Sequence, residues 1–146
     1  MPDDSPVSND EISPELEVAL VLLEKARQDL VAVGKWLNDV DISDEIIGFH
    51  IQQTIEKSLK ALLSVQKVDY PHTHNLRLLI DLCRNNDIQV PAEFLQVDVF
   101  NRFAVQWRYD LLPTPPQIAL DRKPAYELAS QLLTWANKWI NEALSD

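Results

Sequence analysis

Apolar side chains recur every three or four positions from the start of the folded body. Leu16, Leu20, Leu23, Ala26, Leu30, Val33 and Leu37 fall on one stripe of a helix. Ser13 offers an N-cap oxygen, and Pro14 occupies a first-turn position where its missing N–H costs nothing. The pattern therefore predicts a helix from Pro14 to about residue 38. The segment NDVDIS follows, with Asp41 or Ser43 as cap. Ile51, Ile55, Leu59 and Leu62 then predict a second helix over about 44 to 67. So short a link makes the two rods antiparallel neighbours.

Asp69-Tyr70-Pro71 breaks the second helix. Side chains among Thr73 to Asn75 can cap a shorter third one carrying Leu76, Leu79, Ile80 and Cys83, which Asn85-Asn86-Asp87 closes. Pro91 is expected to open a fourth helix, striped by Val97, Phe100, Ala104 and Trp107 and stopped by LLPTPP at 111 to 116. A fifth, from about 122 to 143, would bury Ala129, Leu132, Ala136 and Trp139 or Ile140. No two-residue alternation competes with these periods. The fold class expected is all-α, an up-and-down bundle of four to five helices formed by residues 13–146, behind an acidic leader (1–12) too polar to offset the entropy of ordering.

Composition narrows the chemistry. With 146 residues and 46% hydrophobic content, the chain fills one core. Gly34 and Gly48 are its only glycines, too few for a phosphate-cradling loop or a dinucleotide fingerprint. Thirteen basic against 23 acidic side chains leave a net charge of −10, which makes duplex DNA a poor partner unless cations are gathered in one cleft. Cys83 is the lone cysteine, so neither an internal disulfide nor a cysteine zinc site is available. The start has no basic and apolar signal pattern and no apolar run spans a bilayer, so a cytoplasmic location away from the membrane is expected.

Three segments could carry chemistry. His50, Gln53, Lys57, Lys60 and Ser64 are spaced to share one face of the second helix. That face is either the wall of a ligand site or an ordinary solvated face on which Glu56 and Lys60 pair. His72 and His74 flank Thr73 at a helix start. Two histidines without a nearby carboxylate or cysteine at ligand spacing make a weak metal signal, so capping or packing is the expectation and no metal or cofactor is called for. Arg102 and Arg108 lie among Phe103, Trp107 and Tyr109, where guanidinium groups could clamp a phosphate or could pair with Asp98 and Asp110 around core aromatics.

The segments FHIQQTIEKSLKALL (49 to 63), YPHTHNLRLLIDLC (70 to 83), FAVQWRY (103 to 109) and ELASQLLTWANKWI (127 to 140), in that order, resemble the HEPN domain family over about residues 20 to 143. The resemblance implies a bundle of four or five helices, commonly a homodimer. Many small bacterial members are paired, as toxin and antitoxin, with a minimal nucleotidyltransferase, and others bind nucleotides. Ribonuclease members carry an arginine followed, after four to six residues, by a histidine. Here Arg102 leads to Trp107, Arg108 and Tyr109, and Arg27, Arg77, Arg84, Arg108 and Arg122 fare no better.

The resemblance thus favours a binding module over a catalyst, with Gln53, Lys57, Lys60, His74, Arg102, Arg108 and Tyr109 as ligand-binding candidates and no catalytic residue. Lys57, Lys60, Arg102 and Arg108 would form the phosphate pocket for a nucleotide or RNA. The alternatives are a ribonuclease toxin with a non-standard site and a structural dimerisation module without a ligand.

Overall fold

The computed structural model describes residues 12–108 and 119–145 and, of residues 105–108, the backbone alone. Five α-helices lie among the described residues: α1 Pro14–Trp36, α2 Asp44–Val65, α3 Leu76–Asn85, α4 Asn101–Arg108 and α5 Arg122–Leu144. The chain is an all-α helical bundle. Of the expected caps, Ser13 accepts from the Leu16 N–H at 3.1 Å, and Ser43, not Asp41, accepts from Ile46 at 3.3 Å. Asn75 caps α3 by accepting from Arg77 and Leu78, while Thr73 accepts from the Asn75 N–H at 3.0 Å. Each cap satisfies first-turn donors that have no partner within the helix.

α2 is the central rod. Ile47, Ile51, Ile55, Leu59, Leu62 and Leu63 are wholly excluded from solvent, each contributing about 1.5–3 kcal/mol of apolar burial. α1 lies antiparallel on it: the Thr54 hydroxyl approaches the Ala26 carbonyl at 3.5 Å, and Trp36 packs edge-on to His50 with centroids 5.3 Å apart. α5 begins beside the start of α2, where Arg122 Nε donates to Asp44 Oδ1 at 2.8 Å. The same guanidinium donates to the carbonyls of Trp36, Asp39 and Ile42. It thereby collects acceptors left over at the end of α1 and in the following link.

The fourth helix does not start at Pro91 as the sequence pattern suggested. Two 3-10 turns, Ala92–Phe94 and Val97–Phe100, come first, and α4 begins only at Asn101. Phe94, Val97, Phe100 and Phe103 are spaced by threes and all buried. A three-residue turn keeps such a row on one side, whereas a 3.6-residue helix would rotate it away from the core. Trp107's side chain and the LLPTPP segment lie outside the described residues, as does the acidic leader except for Ile12.

α2 and α3 both end with a residue in the left-handed region, Lys67 (φ 60°) and Asp87 (φ 67°). The next N–H in each case turns back to a helix carbonyl, Val68 to Leu63 at 2.9 Å and Ile88 to Cys83 at 3.0 Å. This reversal satisfies the orphan carbonyls of the last turn. After Lys67 the chain runs back along α2: Tyr70 reaches Ser64, and His74 reaches Glu56 and Gln52. That return strand of irregular backbone forms one wall of the polar face of α2.

Candidate functional site: the polar face of α2

Two carboxylates organise this face. Asp29, from α1, accepts from His50 Nδ1 at 2.8 Å and from Lys57 Nζ at 2.5 Å, one on each oxygen. Glu56, a residue only 4% exposed, accepts from His74 Nδ1 at 2.8 Å and Gln52 Nε2 at 3.0 Å on one oxygen, and from Lys60 Nζ at 3.1 Å on the other. Each carboxylate therefore bridges a lysine of α2 to an imidazole. Gln53 Nε2 donates to Gln52 Oε1 at 2.7 Å, and Gln52 also donates to the His74 carbonyl at 3.1 Å. The wholly buried Gln52 is thus satisfied on both of its ends, as a buried amide must be.

Opposing effects set the acidity of the two carboxyls. Burial pushes Asp29 up, but hydrogen bonds from His50 and Lys57 and the adjacent Lys57 charge outweigh it and hold the group below its ordinary value. Burial likewise raises Glu56, and the bonds from Gln52 and His74 with the Lys60 charge bring it below the usual carboxylate range. An ionised carboxylate can only accept, so Nδ1 of both histidines carries the proton it donates. The His74 side chain is 43% exposed, so this buried carboxylate holds an imidazole that solvent reaches.

The sequence candidates are brought together in part. Gln53, Lys57, Lys60 and His74 share this face, and Lys60 also lies 5.7 Å from the Tyr70 ring centre. Asn101, opening α4, accepts from the Leu76 N–H at 2.8 Å and donates to Asn75 at 3.1 Å, tying the His74 segment to the fourth helix. Arg102, the next residue, is exposed and lines a cavity of about 340 Å³ with Phe100, Phe103, Asp121 and Leu128, which neither lysine lines. The Arg108 side chain and Tyr109 lie outside the described residues. Both lysines are ion-paired, Lys57 with Asp29 and Lys60 with Glu56, the second pair being the one that i, i+4 spacing suggested. Sequence reasoning missed Asp29 and Gln52. Asp29 sits 21 residues from His50 on another helix, and its only signal was a carboxylate beside the apolar stripe of α1. Gln52 gave none, being a polar residue next to a buried isoleucine.

Among the described residues no group of three or more histidine, cysteine, aspartate or glutamate side chains is arranged to hold a metal ion. Cys83 is buried, and burial pushes its thiol up to about 12, far from a reactive thiolate. None of the described helices is long and apolar enough to cross a membrane.

Residues 19–140 match the family model of the HEPN domain. The chain belongs to the HEPN domain family. Comparison with curated proteins and with solved structures finds no match. The HEPN match spans α1 to α5, so the carboxylate-bridged face of α2 lies wholly within the domain.

Proposed function

We propose that this HEPN protein is a binding module, the helical half of a pair formed with a minimal nucleotidyltransferase, and not a catalyst by itself. The closure of charge on α2 carries this reading: Asp29 neutralises Lys57 and Glu56 neutralises Lys60. A phosphoryl-transfer or RNA-cleaving centre directs uncommitted positive charge at the reacting phosphate. Here the lysines are engaged within the fold, and no arginine in the chain is followed by a histidine after four to six residues. The face keeps spare hydrogen-bonding capacity, since an ammonium has three donors and the second ring nitrogen of His74, an acceptor when Nδ1 holds the proton of the neutral ring, has no hydrogen bond among the described residues. Such groups suit recognition of a partner surface or a nucleotide by hydrogen bonds more than by net charge.

Co-expression with a minimal nucleotidyltransferase tests the pairing, and co-purification as a stoichiometric complex is expected. Calorimetry with a nucleotide panel and a short RNA, at two salt concentrations, with Lys57→Ala and Arg108→Ala beside the parent, tests the ligand. Failure to form a complex together with no heat from any ligand would remove the proposal.

One observation favours a second reading, a ribonuclease with a non-standard site. His74 is held through Nδ1 by a buried carboxylate, which is how an imidazole is oriented for proton transfer. RNA cleavage lost in His74→Asn and retained in His72→Asn would establish that reading in place of the first.

A further inference from the structure

The cavity of about 340 Å³ that Arg102 lines opens between the second 3-10 turn and α4 on one side and the start of α5 on the other. Phe100 and Phe103, with ring centres 6.3 Å apart, line it from the first side, and Leu120, Ala125 and Leu128 from the second. Of its lining residues only Arg102 and Asp121 are charged, and every other one is apolar.

Neither charge is committed within the described structure. Arg102 and Asp121 form no ion pair among the described residues, either with each other or with a third group. Asp121 stands at the N-cap of α5, yet its carboxylate accepts no bond from the first turn. The backbone beneath both is tethered. The Leu120 N–H and Arg122 Nε, on either side of Asp121, donate to Asp44 at 3.2 and 2.8 Å. Asn101, directly before Arg102, is tied to Leu76 and Asn75. Two opposite charges thus stand on separate walls of one apolar hollow, and a ligand can meet both without first ordering the chain.

We propose that this cavity binds a free α-amino acid with an aliphatic or aromatic side chain, Arg102 donating to its carboxylate, Asp121 accepting from its ammonium and the apolar lining holding its side chain. A guanidinium matches a carboxylate as a planar fork. A plain anion would be opposed by Asp121 and a plain cation by Arg102, whereas a zwitterion is opposed by neither. The volume lies at the small end of ligand sites, which suits a single small metabolite. Burial of the side chain supplies most of the affinity, and the two exposed charges supply the discrimination. This inference depends neither on the nucleotidyltransferase pairing nor on the polar face of α2.

Nuclear magnetic resonance titration of the isotopically labelled full chain with L-leucine and L-phenylalanine, each to about 20 mM, tests the site. Saturable shifts of the Arg102, Leu120 and Asp121 amides, with a millimolar Kd or tighter, are expected. Glycine keeps both charges without the side chain, isocaproate lacks the ammonium and leucinamide lacks the carboxylate. Each should bind about tenfold more weakly than leucine, or weaker still. Arg102→Gln should abolish the preference for leucine over leucinamide, and Asp121→Asn the preference for leucine over isocaproate. Both positions are exposed, so unchanged helical circular dichroism confirms folding. No saturable shift with either amino acid, glycine binding as tightly as leucine, or preferences that survive these substitutions would each overturn the proposal.

Discussion

Phe103 of α4 packs so closely on Gly48 of α2 that a β-carbon there would stand 2.2 Å from Phe103 Cδ1. Only a residue without a side chain lets the two helices meet, and both positions are buried.

Gly48→Ala is expected to destabilise the fold by about 2–3 kcal/mol, despite the better helix propensity of alanine, because the ring must move within a packed core. Urea unfolding measures this. Phe103→Leu in the same chain should return part of the loss, and purely additive effects would show that the contact is not the cause.

Arg122 joins three parts of the chain, the end of α1, the link after it and the start of α2. Arg122→Ala should cost about 2–3 kcal/mol in thermal or urea unfolding, because it removes charge-assisted bonds to partly buried acceptors. Arg122→Lys should recover less than half, since an ammonium cannot reproduce the planar fork.

Stability should fall on acidification through Asp29 and Glu56. Both carboxyls titrate below their unfolded-state values, so the unfolded chain binds protons first as pH drops. Their contribution is therefore complete above about pH 5 and is lost as pH falls through the carboxylate range. Urea midpoints measured from about pH 7 to pH 3 should show a shallower acid limb in Asp29→Asn and Glu56→Gln. Each variant should also lose about 2 kcal/mol or more at neutral pH, where a half-buried lysine is left unpaired. An acid limb with unchanged slope in both would refute this assignment.

Lys67 and Asp87 hold left-handed backbone without being glycine. Lys67→Gly and Asp87→Gly are each expected to stabilise the protein by about 0.5–1 kcal/mol, because the β-carbon penalty there exceeds the extra chain entropy of glycine. Differential scanning calorimetry should show a higher Tm for each, and a lower Tm would mean that the side chains contribute more than the strain costs.

The helices were legible in the sequence wherever a long apolar stripe ran between capping and breaking residues. α1, α2, α3 and α5 obey this rule to within about two residues at their ends. Pro91 misled because a proline marks a permitted start without choosing between a 3.6- and a three-residue turn. The spacing of Phe94, Val97, Phe100 and Phe103 against the core made that choice. At the candidate site, helical periodicity aligned Gln53, Lys57 and Lys60, and i, i+4 spacing suggested the Glu56–Lys60 pair.

By itself, then, the sequence determined the all-α bundle, its principal helices and which face of α2 is polar, since these follow from local spacing and capping. Only the tertiary structure decided the charge state of that face. Asp29 arrives from α1 and His74 from the returning segment after α2, and electrostatic partners depend on distance in space, which separation along the chain does not encode.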